Sequence, residues 1–521
     1  MFKKIKEFFR ERKIEKNLFN SPAFLERYTN GEKMPNEEGI WLGNIKKGER
    51  NFEIVDSNKK IPIAFISGSK NLYERSRYIV PSLLKTWKKT AIIFDVSDKI
   101  EILTAGARKK LFENKILKFD PSKNNTEKYN FLSEIRILTK NEKNDVKNIS
   151  DAFSESYSIF GKINSETSKE EISDFVYSAI FYNLYKSFLA DPQAADEKMI
   201  YFNKSEYSKN KIVNFSKFSY VSNASMGEVY DFIKKLEDIE NPNELFKEIL
   251  AENIIKKYGK DENIRNIVKE WIKNSEKELK YSGLPYTKNF MDYSKMKKDK
   301  LKTIINETLK CLEIFEKESY LENTTKSSFR INEIINSDKP VTLYLKINSA
   351  DIIKSGPIFK IFVKQFIEKV EENQLRILEE FPAIWQPENG KHNILLVLNE
   401  FLAFGKFENI EKFLEKAVNC RIKTFFNFST DPEDRIYEKG FLKNNFPCRI
   451  IDCEPEIKKE NSVGNKQVSF DSQESRLVFP EGEKKFPPQT LFLKNNGWNF
   501  IKMSEVLVEE NEELKGLVEI F

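Results

Sequence analysis

Apolar runs with strand character alternate with helical patterns in the early part of the chain. The runs Ile61–Ser67, Thr90–Val96 and Lys115–Asp120 predict buried strands, and the helical patterns Arg75–Lys88 and Asp98–Glu113 lie between them. Strands that alternate with helices in this way are typical of a parallel sheet with crossover helices. The pattern therefore predicts an α/β domain.

The pattern changes in the middle of the chain. From about Glu142 to Asn323 strand-like runs are almost missing, and amphipathic patterns such as Glu170–Ala190 and Ile264–Leu279 dominate. Apolar positions that follow the helical period predict a domain built of helices. We therefore expect an all-α domain inserted into the α/β domain.

The α/β pattern returns after the helical stretch. Strands are predicted at Val341–Ile347, Asn393–Glu400, Arg421–Phe428 and Cys448–Cys453, with helices near Ile352–Glu372 and Asn409–Ala417. A polar, turn-rich excursion follows at Glu454–Lys485, and Thr490–Lys502 predicts a last strand or hairpin. The predicted domains are a basic helical segment at 1–38, the first part of the α/β domain at 39–141, the all-α insert at 142–325 and the second part at 326–521.

Composition restricts the classes of protein and site that fit. The 521 residues suffice for two or three domains, and 87 basic against 81 acidic residues leave a net charge of only +6. That balance does not by itself predict nucleic-acid binding. The four cysteines form no C-x-x-C pair and His392 is the single histidine, so the sequence argues against a zinc site and a histidine-based catalytic site.

No stretch of the sequence predicts a membrane span. No apolar run approaches the roughly 18 residues that cross a bilayer, and the basic N-terminus lacks the apolar core of a signal peptide. Phe2, Ile5, Phe8 and Phe9 lie at helical spacing, so this segment could lie on a membrane surface or pack against a partner. We expect a cytoplasmic protein that reaches the inner membrane only peripherally.

A degenerate nucleotide site follows the first predicted strand. The strand runs into Gly68-Ser69-Lys70-Asn71-Leu72-Tyr73-Glu74-Arg75 and then into a helical pattern, which is the setting of a phosphate-binding loop, G-x-x-x-x-G-K-[ST]. Gly68 keeps the first glycine. Tyr73 replaces the second glycine, Glu74 the lysine, and Arg75 the hydroxyl residue.

These replacements predict a site that fails to hold phosphate in the ordinary way. The loop lysine normally neutralises phosphate oxygens, and a unit charge pair at about 4 Å is worth about 4 kcal/mol at an effective dielectric near 20. Glu74 places an anion there instead, and Tyr73 adds bulk where the backbone must approach phosphate. Arg75 and Lys70 could return a positive charge, but from a different geometry.

A second altered position ends a later strand. The strand Asn393–Glu400 finishes in Asn399-Glu400, where a metal-binding strand would carry Asp-Glu. An amide carries no charge, so Asn399 weakens any magnesium site. Glu400 remains as the acidic residue of the pair, a catalytic position that is vestigial here. The alternative is an ordinary polar strand end. Without a phosphate cradle we expect no cofactor and no ordinary ATP hydrolysis.

Several motifs in order resemble the TraG/TraD-type coupling proteins of type IV secretion and conjugation. The matching stretches are Ile79–Leu84 (IVPSLL), Leu103–Arg108 (LTAGAR), Phe119–Pro121 (FDP), Tyr129–Leu132 (YNFL), Phe329–Ile331 (FRI), Lys339–Leu345 (KPVTLYL) and Leu396–Phe401 (LVLNEF). They spread over roughly Gly39 to Phe500. The resemblance implies a RecA-like P-loop NTPase fold with a mostly parallel sheet interrupted by an all-α inserted domain, and in active members ATP, Mg²⁺ and rings of six.

The departures from the family pattern concern the same chemistry. After the second strand the family has D-x-K-G-E; here Asp95 remains as the second-strand acid, but the lysine and glycine are gone. The glutamine-serine that ends a later strand reads Phe428-Ser429, which leaves Ser429 as a sensor-like residue. The two transmembrane helices that usually begin family members have no counterpart in the sequence.

Three functions remain open at this point. The first is a non-hydrolysing coupling-protein-like factor that binds DNA, a relaxase, type IV secretion components or an intact coupling-protein ATPase. The second is an active motor with an unorthodox site that uses Arg75 or Lys70, Glu400, ATP and Mg²⁺. The third is an adaptor with no transport role. Lys295–Lys302 and the basic N-terminus are the candidates for DNA contacts, and a homo-hexamer is left undecided.

Overall fold

The structure is a computed structural model, and its contacts divide the chain into two compact units. The described residues are 39–47, 50–56, 60–67, 72–135, 141–160, 167–190, 224–250, 286–348, 350–380, 390–407, 409–429, 432–434, 436–452, 467–469, 476–478, 490–495, 501–505 and 507–519. The first unit comprises Met1–Lys118, Asn332–Ser349 and Ile367–Phe521, and the second comprises Phe119–Ile331 and Ala350–Phe366. The domain boundaries predicted at 141 and 325 remain predictions, because a division by contacts does not test which segments fold together.

The strands lie in one large sheet and one small one. They are β1 (Ile40–Lys47), β2 (Arg50–Asp56), β3 (Ile63–Ser67), β4 (Thr90–Asp95), β5 (Lys115–Phe119), β6 (Val341–Lys346), β7 (Ile394–Leu398), β8 (Lys423–Phe428), β9 (Cys448–Asp452), β10 (Gln467–Ser469), β11 (Arg476–Val478), β12 (Thr490–Asn495) and β13 (Ile501–Ser504). The large sheet has the order β2-β1-β13-β12-β9-β3-β8-β7-β4-β6-β5, and β10 pairs with β11.

The centre of the large sheet is parallel. The strands β9, β3, β8, β7, β4 and β6 pair parallel in this order, while β12, β13, β1 and β2 extend one side antiparallel. Every residue of β3, β4, β7 and β8 is buried, as expected for parallel strands covered on both faces. The prediction of an α/β fold with a mostly parallel sheet is confirmed.

The helices follow the predicted alternation. They are α1 (Leu72–Ser76), α2 (Lys99–Leu111), α3 (Glu142–Phe160), α4 (Lys169–Ala190), α5 (Met226–Asp238), α6 (Pro242–Leu250), α7 (Thr287–Lys295), α8 (Lys298–Cys311), α9 (Glu318–Thr325), α10 (Ile331–Ile335), α11 (Ile352–Glu380), α12 (Ile410–Asn419), α13 (Phe441–Asn445) and α14 (Glu512–Glu519). The described residues between 142 and 325 contain helices and turns but no strand. The helical pattern at Ile264–Leu279 lies outside the described residues.

One predicted helix is wrong in its form. The pattern Arg75–Lys88 predicts a single helix, but the chain forms α1, a 3-10 turn at Arg77–Ile79 and a π-helical turn at Ser82–Thr86. Pro81 has no N–H to donate and its ring clashes with the preceding turn, so it interrupts an α-helix. The wide turn closes instead with the Trp87 N–H donating to the Ser82 carbonyl at 2.7 Å.

The strands β1 and β2 were not predicted. Their sequence has little regular alternation, and β1 is fixed by tertiary contacts. The Trp41 N–H donates to Ser82 Oγ at 2.9 Å, and the Tyr78 hydroxyl donates to the Leu42 carbonyl. The Tyr78 ring also stacks on Phe65 of β3, with ring centroids 4.3 Å apart. These contacts tie the segment after α1 to both β1 and β3.

Candidate functional site

Four strand ends place the predicted site residues along one edge of the sheet. In the order β9-β3-β8-β7 all strands run parallel, so their carboxyl ends meet at the same edge. Ser67, Asn399 and Ser429 end or directly follow β3, β7 and β8. Ligands of open α/β sheets bind outside this edge. The fold thus brings the predicted residues Asn399 and Ser429, together with Ser67, which was not predicted, to the edge where such a sheet holds its ligand.

Much of the predicted phosphate loop cannot be described. Gly68, Ser69 and Lys70 lie outside the described residues, and Arg75 belongs to α1 although its side chain is likewise outside. Their predicted phosphate contacts therefore stay predictions. Glu74 lies in the first turn of α1 and is half-buried.

Tyr73 is held by groups of the chain itself. Its hydroxyl donates to Glu509 Oε1 at 2.8 Å, and Lys99 Nζ lies 4.7 Å from the centre of its ring. Burial and the hydrogen bond to Glu509 raise the pKa of Tyr73 to about 12. The residue at the second glycine position is thus a neutral hydrogen-bond donor to a nearby carboxylate.

Besides Glu509, two acidic residues that the sequence did not single out contact Ser67 and Arg77. Glu505 faces Arg77, with Nε–Oε1 and Nη2–Oε2 distances of 3.5 Å each. Asp452, at the end of β9, accepts a hydrogen bond from Ser67 Oγ at 2.9 Å. These carboxylates come from strand ends and from the end of the chain, far apart in sequence, so no local motif could have indicated them.

Burial gives Glu505 an unusual titration. It raises the pKa of Glu505 to about 7, with Asp452 and Glu509 adding to the rise and Arg77 opposing it. This pKa in the folded protein exceeds the value of about 4.3 expected in the unfolded chain. Protonated Glu505 therefore contributes to the free energy of unfolding, fully below about pH 4.3, and this contribution is lost as the pH rises through about 7.

A pH series with Glu505→Gln should reveal this contribution. We expect the free energy of unfolding of the wild type to fall relative to Glu505→Gln between about pH 5 and about pH 8, by on the order of 1–3 kcal/mol. Urea unfolding at several pH values measures it. A difference between the two proteins that does not depend on pH would contradict the assignment.

Asn399 makes structural hydrogen bonds at the position of the expected metal-binding aspartate. Its side chain is fully buried. Nδ2 donates to the Phe94 carbonyl of β4 at 2.9 Å, and Oδ1 accepts from Asn427 Nδ2 of β8 at 3.5 Å. A carbonyl only accepts, so an ionised carboxylate could not replace this amide. Asn399 therefore connects the two strands that flank β7.

Glu400 lies in a strained turn directly after β7. Its backbone has φ 52° and ψ 40°, the left-handed region, and its carbonyl accepts from the Ala403 N–H at 2.8 Å. This conformation costs a residue with a Cβ about 1–2 kcal/mol. The residue is 4% exposed. Strain of this kind is often found at functional sites, and the catalytic role of Glu400 stays a prediction.

Asp95, the predicted second-strand acid, accepts hydrogen bonds from residues at the start of α2. Its Oδ2 accepts from the Glu101 N–H at 2.8 Å and its Oδ1 accepts from Ser97 Oγ at 3.0 Å, so it binds the start of α2. Burial raises the pKa of Asp95, while these hydrogen bonds and Lys346 oppose the rise. In the sheet order β7 and β8 separate its strand from β3.

Arg108, the last residue of the stretch Leu103–Arg108, connects several elements of the first unit by hydrogen bonds. It is fully buried and donates to five groups. These are Thr342 Oγ1 (2.7 Å), Asn114 Oδ1 (3.0 Å) and the carbonyls of Leu83 (2.9 Å), Trp87 (2.5 Å) and Lys89 (2.6 Å). It thereby joins α2 to β6 and to the segment that leads into β4.

Two negative findings concern the described residues. No helix among them is long and apolar enough to cross a membrane. Nor do these parts of the chain contain a group of three or more His, Cys, Asp or Glu residues that could hold a metal ion.

Two comparisons with known sequences agree. Residues 44–428 match the family described as Type IV secretory system Conjugative DNA transfer. Two proteins from Escherichia coli, both named Conjugal transfer protein TraG, are 20% identical over 409 residues and 21% identical over 397 residues. The alignments cover 78% and 76% of this chain but 54% and 52% of those proteins, so the chain spans about half the length of the curated relatives it matches.

Solved structures of a conjugative coupling protein are also similar. The unbound monoclinic form of TrwBdeltaN70 has a TM-score of 0.49 at 11% identity, over 93% of this chain and 92% of that one. TrwB in complex with the non-hydrolysable ATP analogue ADPNP has a TM-score of 0.49 at 12% identity, with the same coverage.

The family match spans well over half of the chain and includes β3 to β8. The predicted RecA-like P-loop NTPase fold agrees with the parallel order in which β8 lies between β3 and β7. The chain belongs to the family of type IV secretory system conjugative DNA transfer proteins.

Proposed function

We propose that this chain is a non-hydrolysing member of the family, which binds DNA or protein partners of a transfer machinery without turning over ATP. The observation that carries the proposal is Asn399, whose amide donates to the Phe94 carbonyl and accepts from Asn427. The position that should supply a carboxylate for magnesium supplies an amide that connects strands. A magnesium ion prefers oxygen ligands that carry charge, and this one carries none.

The charges near the phosphate loop support the same conclusion. Asp452 binds Ser67 directly before residues 68–71, and Glu509 binds Tyr73 directly after them. Glu505 lies near both carboxylates, as the effects of Asp452 and Glu509 on its pKa indicate. Nucleotide phosphates bind where backbone N–H groups and cations meet them. Carboxylates at both ends of the loop oppose such binding.

Glu400 supports the alternative, an active motor with an unorthodox site. Its left-handed backbone keeps the strained turn after β7, and it is the residue that would orient water. In that case Lys70 or Arg75 would contact the phosphates. The adaptor without a transport role differs from the main proposal in its partners and not in its chemistry.

An ATPase assay separates the proposal from the active motor. We expect the wild type to release no phosphate from Mg-ATP above background, with or without single-stranded DNA, because the metal carboxylate and the loop lysine are replaced. Glu400→Gln is the matched control, since it keeps the shape and removes the carboxylate. Phosphate release that Glu400→Gln abolishes would contradict the proposal, whereas release that this variant leaves unchanged comes from a contaminant.

The candidate DNA-contacting run Lys295–Lys302 is partly neutralised in the second unit. Lys300 Nζ lies 2.6 Å from Glu171, and Lys298 Nζ lies 3.8 Å from Glu240. DNA affinity depends on phosphates neutralised by free cations. The ion pairs therefore favour protein partners of the machinery, such as a relaxase or an intact coupling-protein ATPase, over strong DNA binding through this run.

DNA binding should accordingly be weak and salt-sensitive. We expect fluorescence anisotropy with single-stranded DNA to show an affinity no tighter than about 10⁻⁶ M at physiological salt, the range of non-specific binding. Replacing Glu171 with Gln frees Lys300 and should tighten binding at low salt if the run contacts DNA. Tight binding that salt barely weakens would contradict this expectation.

A further inference from the structure

Two helices of the first unit lie side by side on one face of the large sheet. α14 packs against α2 and against the π-helical turn at Ser82–Thr86. Leu514 of α14 is fully buried in the same core cluster as Ile100 and Ala107 of α2. The outer sides of α2 and α14 therefore form neighbouring parts of one surface.

This surface has an apolar centre. Ile102 projects from α2 and is 70% exposed, the largest exposed fraction among the large apolar side chains of the described residues. Leu103 beside it, and Leu517 and Val518 on α14, are only partly buried. Apolar surface in contact with water favours association with a partner that covers it. Ile102 is thus the natural anchor of an interface on this side of the unit.

The charges of this surface are divided between the two helices. Its exposed cations lie on α2 and most of its exposed carboxylates on or just before α14. The cations are Lys99, Lys109 and Lys110, and the carboxylates are Glu509, Glu510, Glu512 and Glu513. The two sets adjoin, since Lys99 Nζ lies 4.7 Å from the centre of the Tyr73 ring and the Tyr73 hydroxyl donates to Glu509. A basic half and an acidic half therefore share one border.

A surface with adjoining halves of opposite charge is complementary to itself. A two-fold axis between α2 and α14 places α2 of one copy opposite α14 of the second copy, and the same contact forms twice. Cations then face carboxylates in both contacts, and the second copy covers Ile102. An arrangement in which α2 faced α2 would bring like charges together, which opposes association.

We propose that the outer surface of α2 and α14 is a two-fold interface between copies of this chain, in which the basic α2 of one copy meets the acidic α14 of the other around Ile102. The interface closes at two copies, because each copy uses the same patch, whereas a ring needs two different patches. It goes beyond the proposed function and does not depend on whether the chain hydrolyses ATP.

Charge reversal in the full chain tests which helices meet. Sedimentation equilibrium should show the wild type exchanging between monomer and dimer at about micromolar concentration. The variants Lys109→Glu/Lys110→Glu and Glu510→Lys/Glu512→Lys each place like charges opposite one another, and each should raise the dissociation constant at least about tenfold. An equimolar mixture of the two variants should associate as tightly as the wild type, because the reversed charges then attract in both contacts.

A second pair of variants tests the apolar centre. Ile102→Ser should raise the dissociation constant at least about tenfold, since it removes the apolar anchor. Leu375→Ser is the matched control: it changes a leucine of α11 that is 55% exposed and should leave the dissociation constant at the wild-type level. Circular dichroism and thermal unfolding show that each variant is folded before its association is measured.

Several results would overturn the interface. A wild type that stays monomeric at high micromolar concentration would do so and would leave the surface to a different partner. An oligomer that both charge-reversed variants keep, a mixture of them that does not associate, or equal losses with Ile102→Ser and Leu375→Ser would also contradict it. None of these results bears on the proposed function, which the ATPase assay decides.

Discussion

Replacing Arg108 with alanine is expected to lower the free energy of unfolding by at least about 4 kcal/mol, a large part of the 5–15 kcal/mol typical of a domain. The side chain is fully buried and donates to three carbonyls, Thr342 and Asn114. Its removal leaves several buried acceptors without a donor and opens a cavity. Urea unfolding followed by circular dichroism measures the change.

Two further variants make the Arg108 prediction specific. Arg108→Lys keeps the charge but reaches fewer acceptors, because an ammonium lacks the planar fork of a guanidinium, and should lie between the wild type and alanine. Lys109→Ala changes the exposed neighbour on α2 and should stay within about 0.5 kcal/mol of the wild type. An Arg108→Ala protein as stable as Lys109→Ala would show that the buried network contributes little.

Replacing Asn399 with aspartate is expected to destabilise the protein by about 2–4 kcal/mol near neutral pH. The change restores the residue type of an active site, yet it places a carboxylate against the Phe94 carbonyl in a fully buried position. Burial raises the pKa of such a carboxyl above its unfolded value, and only the protonated form can donate to the carbonyl. The loss should therefore shrink as the pH falls toward about 4.

The stability of the Asn399→Asp variant should also be measured with added Mg²⁺. If position 399 serves only to connect strands, millimolar Mg²⁺ with or without ATP should leave the variant as unstable as before. Asn399→Ala is the control for loss of the amide alone, and its loss of stability relative to the wild type should not vary with pH in the same window. Recovery of wild-type stability by Mg²⁺ would instead mean that the position still forms part of a metal site.

The two predictions concern a residue that matches the family pattern, Arg108, and one that departs from it, Asn399. Arg108 belongs to a motif that resembles the family pattern. Its hydrogen bonds give it a role in the stability of the fold. Asn399 departs from the family pattern, and its contacts explain the departure by the hydrogen bonds it makes to neighbouring strands. The framework of the fold is thus kept around position 399, where the family resemblance predicts a metal-binding aspartate and the sequence has an amide.

The strands of the parallel sheet could be predicted because each is a short apolar run between polar turns. All seven predicted strands from Ile61–Ser67 to Cys448–Cys453 match β3 to β9 within two residues at each end. Burial on both faces demands apolar side chains at consecutive positions, so the pattern is local and strong. The antiparallel strands β1 and β2 could not be predicted from a local pattern. Hydrogen bonds with Tyr78 and Ser82, which are distant in sequence, hold β1 in place.

The sequence is enough to see that Tyr73, Glu74 and Asn399 differ from the family motifs, because a motif is defined by the order and spacing of its residues. Which charged groups lie near these positions depends on distance in space. Asp452 contacts Ser67, and Glu509 and Glu505 contact Tyr73 and Arg77, only because β9 pairs with β3 and residues 505–509 lie against the segment 73–77. Electrostatic energy falls with separation in space and not along the chain, so the folded structure alone assigns these carboxylates to the site.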